Sequence, residues 1–284
     1  MATIIDGKAV SKKVREQITT EAAQFAEKTG VVPGLAVVIV GDDPASKIYV
    51  RNKKLACEEC GFYSEEYALP AGTTESELLA LVEKLNNDDK IHGILVQSPL
   101  PKHLNEKLVI DHISPEKDVD AFHPVNVGKI MIGDYDFLPC TPAGVMELLR
   151  EYGIDPAGKS VCVVGRSNIV GKPQAMLMLH ANATVTICHS RTANLAEETR
   201  RADIVVMAVG KAKLLKGDMI KDGAVVIDVG MNRDENGKLA GDADFDSCEK
   251  KASFITPVPG GVGPMTITML MKNTVKAAKL AAQK

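Results

Sequence analysis

The stretch from Val161 to Pro173, VCVVGRSNIVGKP, constrains this chain more than any other. Val161, Cys162, Val163 and Val164 form an apolar, mostly β-branched run of the kind that fills a buried strand in a parallel sheet. Gly165 then ends the strand in a tight turn, and Gly171 stands where a following helix, Gln174 to Ala181, must pack close to the sheet. Strand, glycine turn and helix start together make a phosphate site, because the free N–H groups of the helix terminus point at the anion. The spacing is G-R-S-N-I-V-G, not G-x-G-x-x-G, so the turn by itself serves equally as an ordinary strand-to-helix connection. Its surroundings decide between the two.

A chain of 284 residues is long enough for about two domains. Residues 8 to 29 set Val10, Val14, Ile18 and Phe25 at helical spacing, and Gly30 closes that helix. GLAVVIVG (34–41) reads as a buried strand ending in a Gly-Asp-Asp-Pro turn, after which Ser46 opens a helix through Cys60. FYSEEYAL (62–69) is the next strand, residues 73–88 a helix capped by Thr73 or Thr74 with Glu77 in support, and HGILVQSPLP (92–101) a third strand. Past the turn-rich PEKDVDAFHPVNVG (115–128), Thr141 as N-cap and Pro142 at the first helical position predict a helix to Tyr152. The 161–164 run, ATVTICHS (183–190), ADIVVMAV (202–209) and AVVIDVG (224–230) then follow at the spacing of a dinucleotide-binding sheet. TPVPGGVGPMT (256–266) is too rich in glycine and proline for regular structure, and it runs into a last helix, Thr268 to Ala282. Strand and helix alternate throughout, which argues for an α/β fold with parallel sheets.

Charge and composition exclude several classes. The net charge of −3 draws the chain to neither nucleic acid nor an acidic membrane surface. No apolar run reaches the roughly 18 residues of a membrane span, and MATIIDGKAVSKKV lacks a signal-peptide core, so a cytoplasmic protein is expected. Six cysteines in so long a chain make no disulfide framework. Cys57 and Cys60 form a C-x-x-C inside a helical pattern with no second pair at zinc spacing, so they read as structural cysteines and no metal is expected.

The strand ATVTICHS ends in His189, Ser190 and Arg191, where NAD-binding sheets carry an acidic residue for the ribose 2′-hydroxyl. With Arg166 in the turn and Ser167 beside it, two guanidiniums and two serines suit a 2′-phosphate, so these residues favour NADP over NAD; each arginine is otherwise a solvated charge. In the first half, Tyr49 and Lys53 are four apart and share a helix face, away from Arg51 and Lys54. A lysine on a helix is ordinarily solvated, and only convergence with other polar groups changes that reading. Gln97 lies at the C-terminal end of a buried strand, where open α/β sheets bind ligands, although it could equally cap a loop. Asp118 and Asp120 in KDVDAF face the same way if the segment is extended, and are equally the makings of turns.

Taken together, YVRNK (49–53), GILVQSPLP (93–101), PEKDVDAFHPVNVGK (115–129), PCTPAGV (139–145), VVGRSNIVGKP (163–173), TVTICHSRT (184–192) and TPVPGGVGPMT (256–266) resemble the bifunctional methylenetetrahydrofolate dehydrogenase/methenyltetrahydrofolate cyclohydrolase family. The blocks fall in family order across almost the whole chain. The resemblance implies NADP-dependent oxidation of methylene- to methenyltetrahydrofolate, then hydrolysis to formyltetrahydrofolate at the same site. It implies two α/β domains flanking a cleft: a parallel folate-binding catalytic domain, residues 1–138 plus 265–284, and a Rossmann-type NADP domain, residues 139–264. A homodimer through the NADP domains is implied as well.

Carried over residue by residue, the family's catalytic lysine falls on Lys53, its partner tyrosine on Tyr49, its glutamine on Gln97 and its folate-recognising aspartate on Asp120. Substrate contacts are expected from Tyr49, Val50, Arg51, Asn52 and Lys53, from Val96, Gln97 and Ser98, from Asp120, and from a covering loop of Pro259, Gly260, Gly261, Val262 and Gly263. Gly165, Arg166, Ser167, Ser190 and Met231 match the NADP contacts. Departures are modest: Ser98 stands where leucine is common, Ala121 where glycine is usual, Leu55 where a second lysine often sits, and Met231 where isoleucine is frequent. Two other readings keep parts of this picture. One is a dehydrogenase for another small substrate, against which the Tyr49/Lys53/Gln97/Asp120 set speaks; the other is a non-catalytic NADP-binding protein.

Overall fold

The protein, in a computed structural model, is described over residues 1–235 and 237–283. Its elements begin with β1 (Thr3–Ile4), α1 (Gly7–Thr29), β2 (Gly34–Val40), α2 (Pro44–Cys60), β3 (Tyr63–Leu69), α3 (Glu75–Asn86), β4 (Gly93–Val96), α4 (Glu106–His112), α5 (Pro124–Ile132) and α6 (Cys140–Glu151). They continue with β5 (Ser160–Val164), α7 (Gly171–His180), β6 (Thr184–Cys188), α8 (Leu195–Arg201), β7 (Ile204–Met207), β8 (Val225–Asp228), β9 (Asn232–Arg233), β10 (Leu239–Ala240), α9 (Phe245–Cys248), β11 (Phe254–Ile255) and α10 (Val262–Ala281). Two compact units result: residues 13–140 with 267–284, and residues 1–12 with 141–266. Residues 1–12 thus fall with the later unit, where the expected boundary had put them with the earlier one. The reason is β1, which pairs in parallel with β11, Thr3 opposite Phe254.

In the unit of residues 13–140, β2 is the central strand of a parallel sheet ordered β3-β2-β4. Its seven residues are all buried, as a strand covered on both faces must be. Ala36, Val38 and Val40 pack with Leu78, Val82 and Leu85 of α3, which starts on the expected capping box between Thr74 and Glu77. β4 ends at Val96, well short of Pro101, because Pro99 and Pro101 have no N–H to continue the ladder. In the other unit a parallel sheet runs β6-β5-β7-β8-β11-β1. After β5 the chain first adds β6 on one side, then crosses to add β7 on the other. That reversal is a topological switch point, the place where open α/β sheets hold ligands.

Helix starts are where the structure departs from the sequence reading. α2 begins at Pro44, because Asp43 caps it by accepting from Ser46 N at 2.7 Å; the Asp-Pro pair is a helix start, with Pro44 in its first turn. Thr141 lies inside α6 and shares a hydrogen bond with Thr266, Oγ1 to Oγ1, at 2.9 Å. α7 starts at Gly171, three residues early. α10 starts at Val262, inside the segment judged too irregular, since a proline in the first turn forfeits no helical bond. α5 was hidden in a turn-rich stretch: His123 Nδ1 accepts from Val125 N, Pro124 follows, and Gly133 ends the helix at φ +80°. The short α4, capped by Asn105, was likewise not anticipated.

Among the described residues no helix is long and apolar enough to cross a membrane. All six cysteines are free and buried. Cys57, whose Sγ meets Met271 Sδ at 3.7 Å, has its thiol pushed up to about 12 by burial, as a structural cysteine should.

Two glycines carry opposite predictions. A methyl group at Gly171 would stand 2.3 Å from Gly165 O, so Gly171→Ala should lower stability by about 1–3 kcal/mol. Gly128, in α5, has nothing within 4 Å of such a methyl, so Gly128→Ala should raise stability by about 0.5–1 kcal/mol. Urea unfolding monitored by circular dichroism reads both signs.

Candidate active site

α2 and β4 bring the first set of polar groups together. Lys53 is only 8% exposed, an unusual place for a lysine, and its Nζ donates to Gln97 Oε1 at 2.7 Å. Gln97 is held in turn: its N–H continues the sheet onto Val38 O at 2.8 Å, and its Nε2 donates to Ser98 O at 2.6 Å. The ammonium therefore meets the amide oxygen, and the amide has no freedom to turn over. Burial pulls the Lys53 pKa below the ordinary lysine value, while Asp120 and, after it, Cys140 act in the opposite sense. Asp120 shows the mirror image, pushed up by burial and drawn back down by Lys53 and by a hydrogen bond from Cys140. Each group loses stability as an ion and regains part of it from the other.

The two aspartates do different work. The 118–121 segment is a pair of tight turns, with Val119 N on Lys117 O and Ala121 N on Asp118 O, and is not extended. Asp118 is buried and accepts from Phe122 N at 3.2 Å, His123 N at 2.8 Å and Asn126 Nδ2 at 2.8 Å, tying the segment to α5. That leaves Asp120 for Lys53. Ala121 takes φ +56°, which explains why glycine suits the position.

Other expected contacts are distributed around these. Tyr49, one turn before Lys53, is 37% exposed, with its hydroxyl pKa raised by partial burial. Val50 is buried in the core; Arg51 and Asn52 are exposed on other faces of α2. Val96 is half-buried, and the exposed Ser98 donates its hydroxyl to the Glu106 carboxylate. Two residues of this site were not anticipated. Cys140 is buried, donates to Val119 O at 3.5 Å, and has its thiol pushed far up by burial and by Asp120. Asn273, in α10, donates through Nδ2 to Val119 O and Leu138 O. Cys140 lay in the quoted PCTPAGV block; nothing in the sequence singles out Asn273.

The second unit assembles its own constellation at the C-terminal ends of β5, β6 and β8, following the rule for open α/β sheets. Gly165 has φ +140°, and a methyl there would stand 2.3 Å from Ala208 O, on the far side of the switch point. Ser167 Oγ accepts from Val170 N and Gly171 N, both at 3.2 Å, closing the turn onto α7. Arg166, Ser167, Ser190 and Arg191 are exposed, as is Met231 at 48%. Asp242 accepts from Val209, Gly210 and Lys211 N–H, and Asp228 from Gly230, Asp242 and Ala243 N–H, which fixes the loops beyond β7 and β8. Burial pushes Asp228 up to about 6. The loop Pro259 to Gly263 belongs to this unit: a methyl on Gly7 would stand 1.7 Å from Gly261 O, and one on Gly263 would stand 3.5 Å from Met231 Cε.

Residues 5–120 match the family model for the tetrahydrofolate dehydrogenase/cyclohydrolase catalytic domain, and residues 139–282 that for its NAD(P)-binding domain. The chain is 63% identical over 282 residues to the bifunctional protein FolD of Acetivibrio thermocellus, covering 99% of each. It is similar to the structure of the bifunctional methylenetetrahydrofolate dehydrogenase/cyclohydrolase from Campylobacter jejuni, with a TM-score of 0.96, 52% identity and 99% of each chain covered. It is also similar to the Trypanosoma brucei enzyme complexed with NADP cofactor and inhibitor, with a TM-score of 0.95, 43% identity, and 100% of this chain and 99% of that one covered.

The division of labour between the aspartates is testable. Asp118→Ala should cost about 1–3 kcal/mol in urea unfolding, because buried donors lose their acceptor. Asp120→Asn, which takes no acceptor from such a set of backbone and amide donors, should cost less than Asp118→Ala in the same unfolding experiment.

Proposed function

The chain belongs to the tetrahydrofolate dehydrogenase/cyclohydrolase family, and on that premise we propose that it oxidises 5,10-methylenetetrahydrofolate with NADP and hydrolyses the methenyl product to 10-formyltetrahydrofolate, with Lys53 handling the proton of the second step. The observation that carries the reading is the buried Lys53 amine on Gln97 Oε1, beside Asp120. The two nitrogens flanking the methylene carbon push electrons toward it as hydride leaves, giving the methenyl amidinium, so the oxidation asks the protein chiefly for positioning. Hydrolysis asks for more, since water must lose a proton as it attacks the amidinium-like carbon. Burial lowers the Lys53 pKa and so eases the loss of its proton, which suits the amine to take the proton of the attacking water. Gln97 Oε1 accepts from that amine whether or not it is protonated, and so keeps Lys53 aimed through the proton transfer. Asp120 accepts from the pterin amino group and Tyr49 stacks on the folate ring, with Val50, Arg51, Asn52, Val96 and Ser98 bordering the substrate.

The second unit's residues fit a dinucleotide phosphate: two glycines with no room for a side chain line the turn, and two guanidiniums stand exposed at the ends of adjacent strands. Gly165, Arg166, Ser167, Ser190 and Met231 would hold NADP, with Arg191 beside the 2′-phosphate. When bound, the nicotinamide supplies the hydride acceptor. The edge strand β6, with Ile187 40% exposed, supports pairing with a second copy as a homodimer. Free thiols throughout support a cytoplasmic setting.

Incubation with methylenetetrahydrofolate and NADP should give NADPH absorbance, then methenyl formation and decay. NADPH without methenyl decay would leave a dehydrogenase alone, and no NADPH would leave a binding protein. Lys53→Ala should lower cyclohydrolase kcat by about 100-fold or more, and substantial retained turnover would refute the assignment. Arg191→Ala should raise KM for NADP about tenfold, the scale of one charge-assisted hydrogen bond, with little change for NAD.

A further inference from the structure

Asn273 is 8% exposed in the interior of α10, a position that neither helix propensity nor burial recommends for asparagine. Asparagine is a weak helix former, and an amide removed from water costs stability unless its N–H groups are paired. Both amide hydrogens are paired here: Nδ2 donates to Val119 O at 2.7 Å and to Leu138 O at 2.8 Å. The two carbonyls also fix the amide's orientation, because Oδ1 in the same place would face two acceptors.

Each acceptor lies on a segment that carries chemistry. Val119 immediately precedes Asp120, and Leu138 stands two residues before Cys140. Cys140 Sγ donates to the same Val119 O and lies 3.8 Å from Asn273 Nδ2. On the other side of Asp120, the Asp118 carboxylate anchors Phe122 and His123. The Lys53 end of the pair is set by Gln97, just past β4, while the Asp120 end is held by the Asp118 carboxylate on one side and by the Val119 carbonyl on the other.

We infer that Asn273 is a positioning residue for the folate reaction: its amide clips the segment bearing Asp120 to the segment bearing Cys140, and so sets where the Asp120 carboxylate stands relative to the Lys53 amine. The inference rests on the folate reading of this site. Loosening the clip lets Asp120 drift, which weakens pterin recognition, and lets water in around Lys53. The groups acting on Lys53 are Asp120 and Cys140, with burial the largest influence. Relief of burial moves its titration upward, whereas retreat of Asp120 moves it downward by less.

The test uses the full chain. Wild type must first show both activities; if it shows neither, the functional reading fails and this inference is not what has been refuted. Given an active wild type, Asn273→Ala should lower cyclohydrolase kcat/KM about tenfold or more. The KM for folate should rise while the KM for NADP stays unchanged, and the acid limb of the cyclohydrolase pH profile should move to higher pH. Asn273→Ser, which keeps one donor, should fall between the two. A folded Asn273→Ala with wild-type folate kinetics and pH profile would overturn the inference, even if its melting temperature drops, because that pattern means a structural role alone. If Asn273→Ala does not fold, Asn273→Ser decides: partial loss with a shifted profile supports the inference, and wild-type behaviour overturns it.

Discussion

The hydrogen bond from the Lys53 amine to Gln97 Oε1, 2.7 Å long and largely out of water, is the interaction on which the proposed chemistry of this protein rests. A lysine on a helix face is ordinarily a hydrated charge, and a hydrated ammonium is a poor base near neutral pH. Burial changes the chemistry by making the charged form costly. The amide then orients the amine without needing it charged, and the nearby carboxylate opposes part of the shift. The backbone bonds of Gln97, the turns around Asp120 and the clip from Asn273 all hold that small array in register.

Both units use the same architectural rule in different ways. In the smaller sheet, Gln97 stands just past the C-terminal end of β4; in the larger one, the glycine turn stands just past β5 at the switch point. The second turn lacks one glycine of the common dinucleotide pattern and still closes tightly. Gly165 presses on Ala208 and Gly171 presses on Gly165, so backbone meets backbone at both remaining positions. The unit that carries Lys53 gathers its polar groups out of water, whereas the other unit leaves Arg166 and Arg191 exposed beside the glycine turn.

What the sequence made legible was local. Alternating strands and helices, the fully buried β2, the capping box of α3 and the shared face of Tyr49 and Lys53 all follow from short-range pattern. Features decided by distant contacts were not legible. β1 is two residues long and exists because Phe254 and Ile255 offer an edge. Asp118 and Asp120 alternate in sequence as if on a strand, but turns at Val119 and Ala121 send one to α5 and the other to Lys53. Prolines misled in one direction, since Pro44, Pro124 and Pro264 each sit in a first helical turn, where they cost nothing, and read as breaks. That Lys53 is buried could not be read from spacing at all.

The titration of Lys53 itself is the most direct test. In protein labelled with 13C at the lysine Cε, nuclear magnetic resonance assigned by comparison with Lys53→Arg reads its midpoint. A midpoint below the ordinary lysine value of about 10.4, falling further in Asp120→Asn, is what a buried amine supported by that carboxylate must give. A midpoint at or above the ordinary value, indifferent to Asp120, would mean a solvated lysine and contradict the account.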